Sequence, residues 1–272
     1  VSEREYEREG LHIHEAEVTT ERAARLLGKP CGRYLTLSLE ALSRREEEAF
    51  PRSVRVLAAL IETLLPPLDS AAPVLIAGLG SRSITPDAVG PRSADHVIAT
   101  RHLISRSPEF FASWRPVSVL APGVLGQTGV ETGEIVRGVL DHVRPRAVIA
   151  IDALAAGRLS RLVRTVQLAD TGIVPGSGVN NARTALDRQT LGVPVVSIGV
   201  PTVADGGSLA HEIAQQLDGA QCEALDDLSQ PFIITTRDID REVADVGRLI
   251  GYAVNMALHP HLTVEDIDLY LS

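Results

Sequence analysis

The sequence predicts an α/β protein, a single domain with a mostly parallel central sheet flanked by helices. Three observations carry that prediction. Four short runs, at residues 74–79, 117–120, 147–151 and 193–198, consist almost entirely of Val, Ile, Leu and Ala, as strands buried on both faces of a sheet must. Segments with apolar residues at helical spacing separate most of them, the rhythm of parallel βαβ crossovers. Each run also stops at a glycine-rich or polar turn, and two of those turns carry a lone aspartate: Ser83-Ile84-Thr85-Pro86-Asp87 after the first and Asp152-Ala153 after the third.

The elements follow in order. Residues 11–18 alternate weakly and read as a strand. Residues 20–27 read as a helix, with Thr20 as its N-cap and Gly28 just past its end. Residues 33–39 alternate at period two, the pattern of a half-buried strand. A helix over 54–65 stops at Pro66-Pro67, and the run at 74–79 is the first parallel strand. Helix 94–104, strand 117–120, helix 131–143, strands 147–151 and 193–198, and helix 209–217 continue the alternation. The stretch 167–188 is the least regular, and a long structured loop in a compact domain is usually functional. Residues 232–234 read as one more strand. A long helix over 237–258, capped by Thr236 and ended by His259-Pro260, precedes a short one begun by Thr263 with Asp266. Residues 1–272 form one domain in this reading, with 1–50 a strand and helix extension, and no repeat or low-complexity linker divides it.

Composition narrows the function classes. The chain has 272 residues, 44% apolar and 22% charged, long enough for a full core. No run approaches the ~18 uncharged apolar residues of a membrane span. The charged start Glu3-Arg4-Glu5 is unlike a secretory signal, and Cys31 and Cys222 stand apart from any metal or disulfide pattern, so a reducing cytoplasm is expected. Net charge is −9, and the basic residues, all arginine except Lys29, are scattered rather than gathered into a stripe. Direct nucleic-acid binding is disfavoured, because it needs positive charge concentrated on one face.

The chemistry falls at the strand ends. In open α/β sheets ligands bind outside the carboxyl ends of the strands, which is where Asp87 and Asp152 lie. Two carboxyls held close cannot both ionise, so an ionised one can activate water while its protonated partner donates to a carbonyl oxygen. The bland reading makes Asp87 a turn residue and Asp152 a helix N-cap. Asp170-Thr171-Gly172 looks like the tripeptide of pepsin-like enzymes, but those are all-β with two lobes, so Asp170 reads first as a cap for loop N–H groups. Gly78-Leu79-Gly80-Ser81 follows a strand without completing a phosphate-loop motif, and Ser81, Ser177 and Ser197 lack the GxSxG elbow. His102, beside Arg101, is an ordinary helix residue or a substrate contact. His12 with His14, and His259 with His261, have ligand-like spacing but no third ligand nearby, so no metal is assigned.

At these residues the sequence resembles the germination protease family, spore endopeptidases classed as atypical aspartic peptidases. The matching stretches are Gly78-Leu79-Gly80 through Thr85-Pro86-Asp87-Ala88-Val89-Gly90-Pro91, Thr100-Arg101-His102-Leu103, Pro122-Gly123-Val124-Leu125-Gly126-Gln127-Thr128-Gly129, and Ile149-Ala150-Ile151-Asp152-Ala153-Leu154-Ala155. Further matches are residues 170–181, Ile198-Gly199-Val200-Pro201-Thr202-Val203 and Ala257-Leu258-His259-Pro260, so the likeness spans nearly the whole chain in one order. The resemblance implies cleavage, next to acidic residues, of the small acid-soluble proteins that coat spore DNA. It implies a zymogen that loses an N-terminal propeptide, a homotetramer in the spore core, no cofactor, and catalytic aspartates at Asp87 and Asp152. Gly80, Ser81, Arg101, His102, Gly126, Gln127, Thr128, Asp170, Ser177 and Asn180 are then expected to bind substrate.

The family's fold resembles that of hydrogenase-maturation proteases, whose corresponding acids bind nickel, and more loosely that of phosphorylase- and hydrolase-like enzymes. A metal-dependent peptidase, a small-molecule hydrolase or phosphorylase, and a non-catalytic binder of spore proteins therefore stand as alternatives. Two departures mark this chain. Ser81-Arg82-Ser83 replaces the family's usual Asn-Trp-Asn, which bears on substrate preference, and the usual propeptide is not recognisable, so the chain is expected to be truncated, mature or regulated differently.

Overall fold

The computed structural model describes residues 1–177, 183–206, 209 and 233–272. The strands are β1 (Ser2–Arg8), β2 (Leu11–Val18), β3 (Gly32–Ser38), β4 (Val74–Gly78), β5 (Val117–Leu120), β6 (Ala147–Ala155), β7 (Thr165–Ala169), β8 (Val195–Asp205) and β9 (Ile233–Ile234). They form one sheet in the order β1-β2-β3-β7-β8-β6-β4-β5, with β9 paired to the end of β8. The four strands β5, β4, β6 and β8 are parallel, as the apolar runs predict. The other half, β7-β3-β2-β1, is antiparallel, so the sheet is mixed.

Two of the antiparallel strands carry no apolar run. β1 is an exposed edge of alternating charge, SEREYER, which reads as a polar tail until β2 pairs with it. Charged edges of this kind discourage pairing with other chains. β7 runs into the start of the stretch read as irregular, and pairs with β3 on one side and β8 on the other.

Alternate residues of the parallel strands serve two cores. Val74, Ile76, Ile149, Ile151, Val196 and Ile198 pack with the helices Ala49–Leu64 and Ile239–Leu258. Leu75, Ala77, Val148, Ala150 and Val195 pack with helix Thr132–Val143 on the opposite face. The local signals hold where they are strong. Thr20 accepts the Ala23 N–H at 3.2 Å, Gly28 closes helix Glu21–Leu27 at φ 63, and Thr263 with Asp266 caps helix Val264–Leu271.

The expected helix over 94–104 is two helices, Val89–Asp95 and Arg101–Arg106. The break is tertiary. Asn255 on the long helix accepts the Ile98 N–H at 2.9 Å and donates to the His96 carbonyl at 2.8 Å. Thr100 is pulled onto β5, where its Oγ1 accepts the Val117 N–H at 2.8 Å. The long helix begins at Ile239 without a side-chain cap, and the Thr236 hydroxyl instead bonds the Glu242 carboxylate. The expected helix 209–217 lies almost wholly outside the described residues, as do Phe232, Asn180 and Cys222. Among the described residues no helix is long and apolar enough to cross a membrane.

Candidate active site

From β4 the chain crosses to β5 on one side, and returns through helix Thr132–Val143 to β6 on the other side of β4. The boundary between β4 and β6 is therefore a topological switch point, where a crevice opens at the strands' carboxyl ends. Asp87 and Asp152 both line it.

Asp87 is placed by close backbone packing. The Leu79 N–H donates to the Ile151 carbonyl at 2.7 Å, tying the first residue after β4 to β6. Gly80 follows at φ +108, and a Cβ there would lie 2.0 Å from the Asp87 carbonyl oxygen. Only glycine lets the chain fold back so tightly. The loop closes with the Ser81 N–H donating to Asp87 Oδ2 at 2.7 Å. Pro86 sits in the first turn of the 3-10 helix Thr85–Asp87, and the Thr85 hydroxyl donates to Asp240 Oδ1 at 2.7 Å, anchoring the turn to the long helix. Behind it Ser81 is buried, its Oγ 2.9 Å from Ser83 Oγ, and Gln127 Nε2 donates to both hydroxyls.

Asp152 sits inside a strand rather than in a turn. β6 runs on to Ala155, because β8 pairs with it that far, whereas β4 leaves it at Ile151. Asp152 is the first residue past that departure, 5% exposed, with Oδ1 accepting the Ala153 N–H at 2.9 Å. No helix begins there for it to cap. Burial raises the Asp87 carboxyl, offset in part by the Ser81 N–H. Burial, reinforced by the negative charge of Asp87, pushes Asp152 up to about 7. Both shifts favour retention of a proton by the pair, the larger one at the more deeply buried Asp152.

The cleft around the pair has a volume of about 590 Å³. Gly80, Gly126 and Ser177 line it, together with residues that carried no individual sequence signal: Ile84, Leu125, Val174, and the ion pair Arg183–Glu131 at 3.3 Å. Ser81 and Gln127 act from behind, through the hydroxyl network. Thr128 bonds within its own turn, to the Val124 and Val130 carbonyls. Asp170 lies at the end of β7, where Oδ1 accepts the Arg33 N–H at 2.8 Å, the capping role considered for it. Arg101 and His102 are exposed on helix Arg101–Arg106 and do not line the cleft, and Asn180 lies outside the described residues. Of the histidine pairs, His12 and His14 face Glu5 and Glu3 on the edge hairpin, and His259 and His261 surround Trp114. Among the described residues no three His, Cys, Asp or Glu side chains gather as a metal site would require.

The mixed α/β sheet, with a cleft lined by two carboxyls at its switch point, places the site where α/β enzymes bind their ligands. The family described as Germination protease matches residues 1–218. The germination protease of Caldanaerobacter subterraneus subsp. tengcongensis is 38% identical, over 98% of this chain and 91% of its own length. That of Clostridium perfringens is 34% identical over 97% and 89%, and that of Bacillus subtilis 45% over 77% and 58%. The chain belongs to the germination protease family, and is an endopeptidase. A solved structure, the NiFe hydrogenase maturation protease HycI of Thermococcus kodakarensis, aligns with a TM-score of 0.39 at 16% identity, over 72% of this chain and 98% of its own.

Proposed function

We propose that this endopeptidase starts the degradation of small acid-soluble spore proteins at germination, with Asp87 and Asp152 as its catalytic carboxyl pair. The observation that carries the reading is that buried Asp152 lines the same cleft as Asp87; burial and the Asp87 charge push its pKa up to about 7. Asp87, whose Oδ2 already accepts the Ser81 N–H, is the ionised member. It takes a proton from water as the water oxygen bonds to the scissile carbonyl carbon, while Asp152 donates its proton to the carbonyl oxygen. When the C–N bond breaks, the proton held by Asp87 passes to the departing nitrogen, and the hydroxyl proton of the intermediate returns to Asp152. No covalent enzyme intermediate forms.

Residues 1–272 act as one peptidase unit in this reading. The chain works as a homotetramer in the spore core and is held as a zymogen until germination, as its resemblance to the family implies. Carrying −9, it does not follow its substrate onto DNA but meets it after release, when the substrate is unfolded and can enter a cleft.

The test is cleavage of a purified small acid-soluble spore protein, followed on a gel, by the wild type and by Asp87→Asn and Asp152→Asn. Loss of about 10³-fold or more in kcat is expected in each variant, with folding retained, since each removes an acid–base group and an electrostatic partner together. Turnover retained in both variants dismisses the pair. DNA-saturated substrate is expected to be cut more slowly than free substrate, and equal rates refute the release step.

A further inference from the structure

We propose that a substrate peptide docks as an added strand, parallel to β6, on the edge that β6 exposes at Ala153 and Ala155. The proposal rests on the peptidase reading and names how that cleft holds its chain.

In a parallel ladder the N–H and C=O of one residue point to the same neighbouring strand, and successive residues alternate between neighbours. The Ile151 carbonyl accepts the Leu79 N–H, so Ile151, and with it Ala153 and Ala155, point toward the β4 side. The Val148 N–H donates to the Pro194 carbonyl and the Ala156 N–H to the Val203 carbonyl, so the even-numbered residues point toward β8. β4 pairs with β6 only as far as Gly78 opposite Ile151, and among the described residues no other strand takes its place. The main-chain groups of Ala153 and Ala155 therefore face the cleft that both residues line.

An open strand edge is usually short, charged or covered, because its unpaired groups invite another chain. Here it is half-buried, built of small side chains, and it continues directly from Asp152. Oδ1 of the Asp152 carboxyl already takes the Ala153 N–H. Among the described residues, what remains is an acceptor at Ala153 and a donor at Ala155. One residue of a parallel strand, opposite Leu154, satisfies both, giving its N–H to Ala153 and receiving the Ala155 N–H at its own carbonyl. An antiparallel partner would need the N–H of Ala153 as well. Affinity from main-chain pairing suits a protease whose substrate arrives extended, and the apolar cleft residues Ile84, Pro86, Val124 and Leu125 offer its side chains surface to pack on. The parallel direction also fixes the frame. The anchored residue lies about two positions to the C-terminal side of the bond beside Asp152, the offset of Leu154 from Asp152 along β6.

The experiment measures kcat and KM on a fluorogenic peptide that the full chain cleaves. Ala155→Pro deletes the cleft-facing N–H without touching the bonds to β8, and Ala155→Ser keeps it. In parallel, wild-type protein is given the same peptide with each amide N–H replaced in turn by an ester oxygen. KM is expected to rise about 3- to 10-fold for Ala155→Pro, the worth of one hydrogen bond, and to stay near wild type for Ala155→Ser. The ester penalty should fall on one residue C-terminal to the cut. Equal KM shifts in the two variants, no shift in either, or an ester profile that is flat or confined to the N-terminal side overturns the docking mode. Should Ala155→Pro fail to fold, the ester scan on wild-type protein decides alone. Absence of any peptide cleavage by the wild type refutes the peptidase reading and this one with it, whereas cleavage with a flat ester profile sinks the docking mode only.

Discussion

The carboxyl pair proposed above ties catalysis to pH. In that mechanism Asp152 must be protonated to donate, and burial with the Asp87 charge raises its pKa to about 7. We expect kcat/KM on a neutral peptide to decline as pH rises through that value, with the pair titrating as one unit. Asp87→Asn removes the charge that repels ionisation of Asp152, so the apparent ionisation of Asp152, followed by carboxyl NMR or infrared difference spectra, should shift to lower pH. An unchanged value would mean that burial alone holds the proton. The same pair shows how far single residues could be read from sequence. Two lone aspartates after apolar runs pointed to a common rim, and both line the cleft. Arg183 and Glu131, which form the cleft's ion pair, come from segments far apart in the chain, and no local pattern brings them together.

At the scale of elements, helix Val89–Asp95 seats the site. A Cβ on Gly90 would lie 2.2 Å from the Leu79 carbonyl oxygen and 2.4 Å from that of Ile151, so the helix rests directly on the ends of β4 and β6. Gly90→Ala is expected to lower stability by about 1–3 kcal/mol in urea unfolding, and to reduce activity more than that loss of folded protein explains, because the overpacked contact is the one that fixes Leu79 and Ile151. Asn255 does comparable work on the segment after that helix, and Asn255→Ala should cost about 2–3 kcal/mol by leaving the Ile98 N–H and His96 carbonyl unpaired. Retained stability would show that water replaces the side chain. This is also where helical periodicity misled. Residues 94–104 carry a helical pattern, but the Asn255 side chain and the Val117 carbonyl offer their main chain better partners outside a helix, and a contact 157 residues away leaves no local trace.

For the whole molecule, two buried groups give opposite pH dependences. Asp152 is raised from 3.8 to about 7, so the folded state binds more protons than the unfolded one between those values, and stability falls as pH rises through the window, by about 4 kcal/mol in full. His259, packed against Trp114 with both ring nitrogens unpartnered among the described residues, is pushed by burial from 6.5 to about 4. There the unfolded state binds more protons, and stability rises with pH over that range, by about 3 kcal/mol in full. The two slopes oppose between about pH 4 and 6.5. Urea unfolding across that interval should find wild-type stability nearly level, stability of Asp152→Asn rising with pH, and stability of His259→Leu falling. Parallel profiles in all three proteins would refute the assignment of either group.

The sequence by itself determined what short-range chemistry can determine. The parallel strands, the caps at Thr20 and Thr263, the Gly28 terminator and the two aspartates at one rim follow from periodicity, side-chain hydrogen-bonding reach and the backbone freedom of glycine, all of which act within a few residues. The tertiary structure alone decided that charged β1 and the short β7 are strands, since their hydrogen-bond partners lie on other segments. It also decided where helix 94–104 breaks and how far β6 extends. That last length sets the site: β8 carries β6 past the end of β4, and the edge so released holds Asp152 against the cleft, an outcome of pairing between distant strands that no stretch of the chain encodes locally.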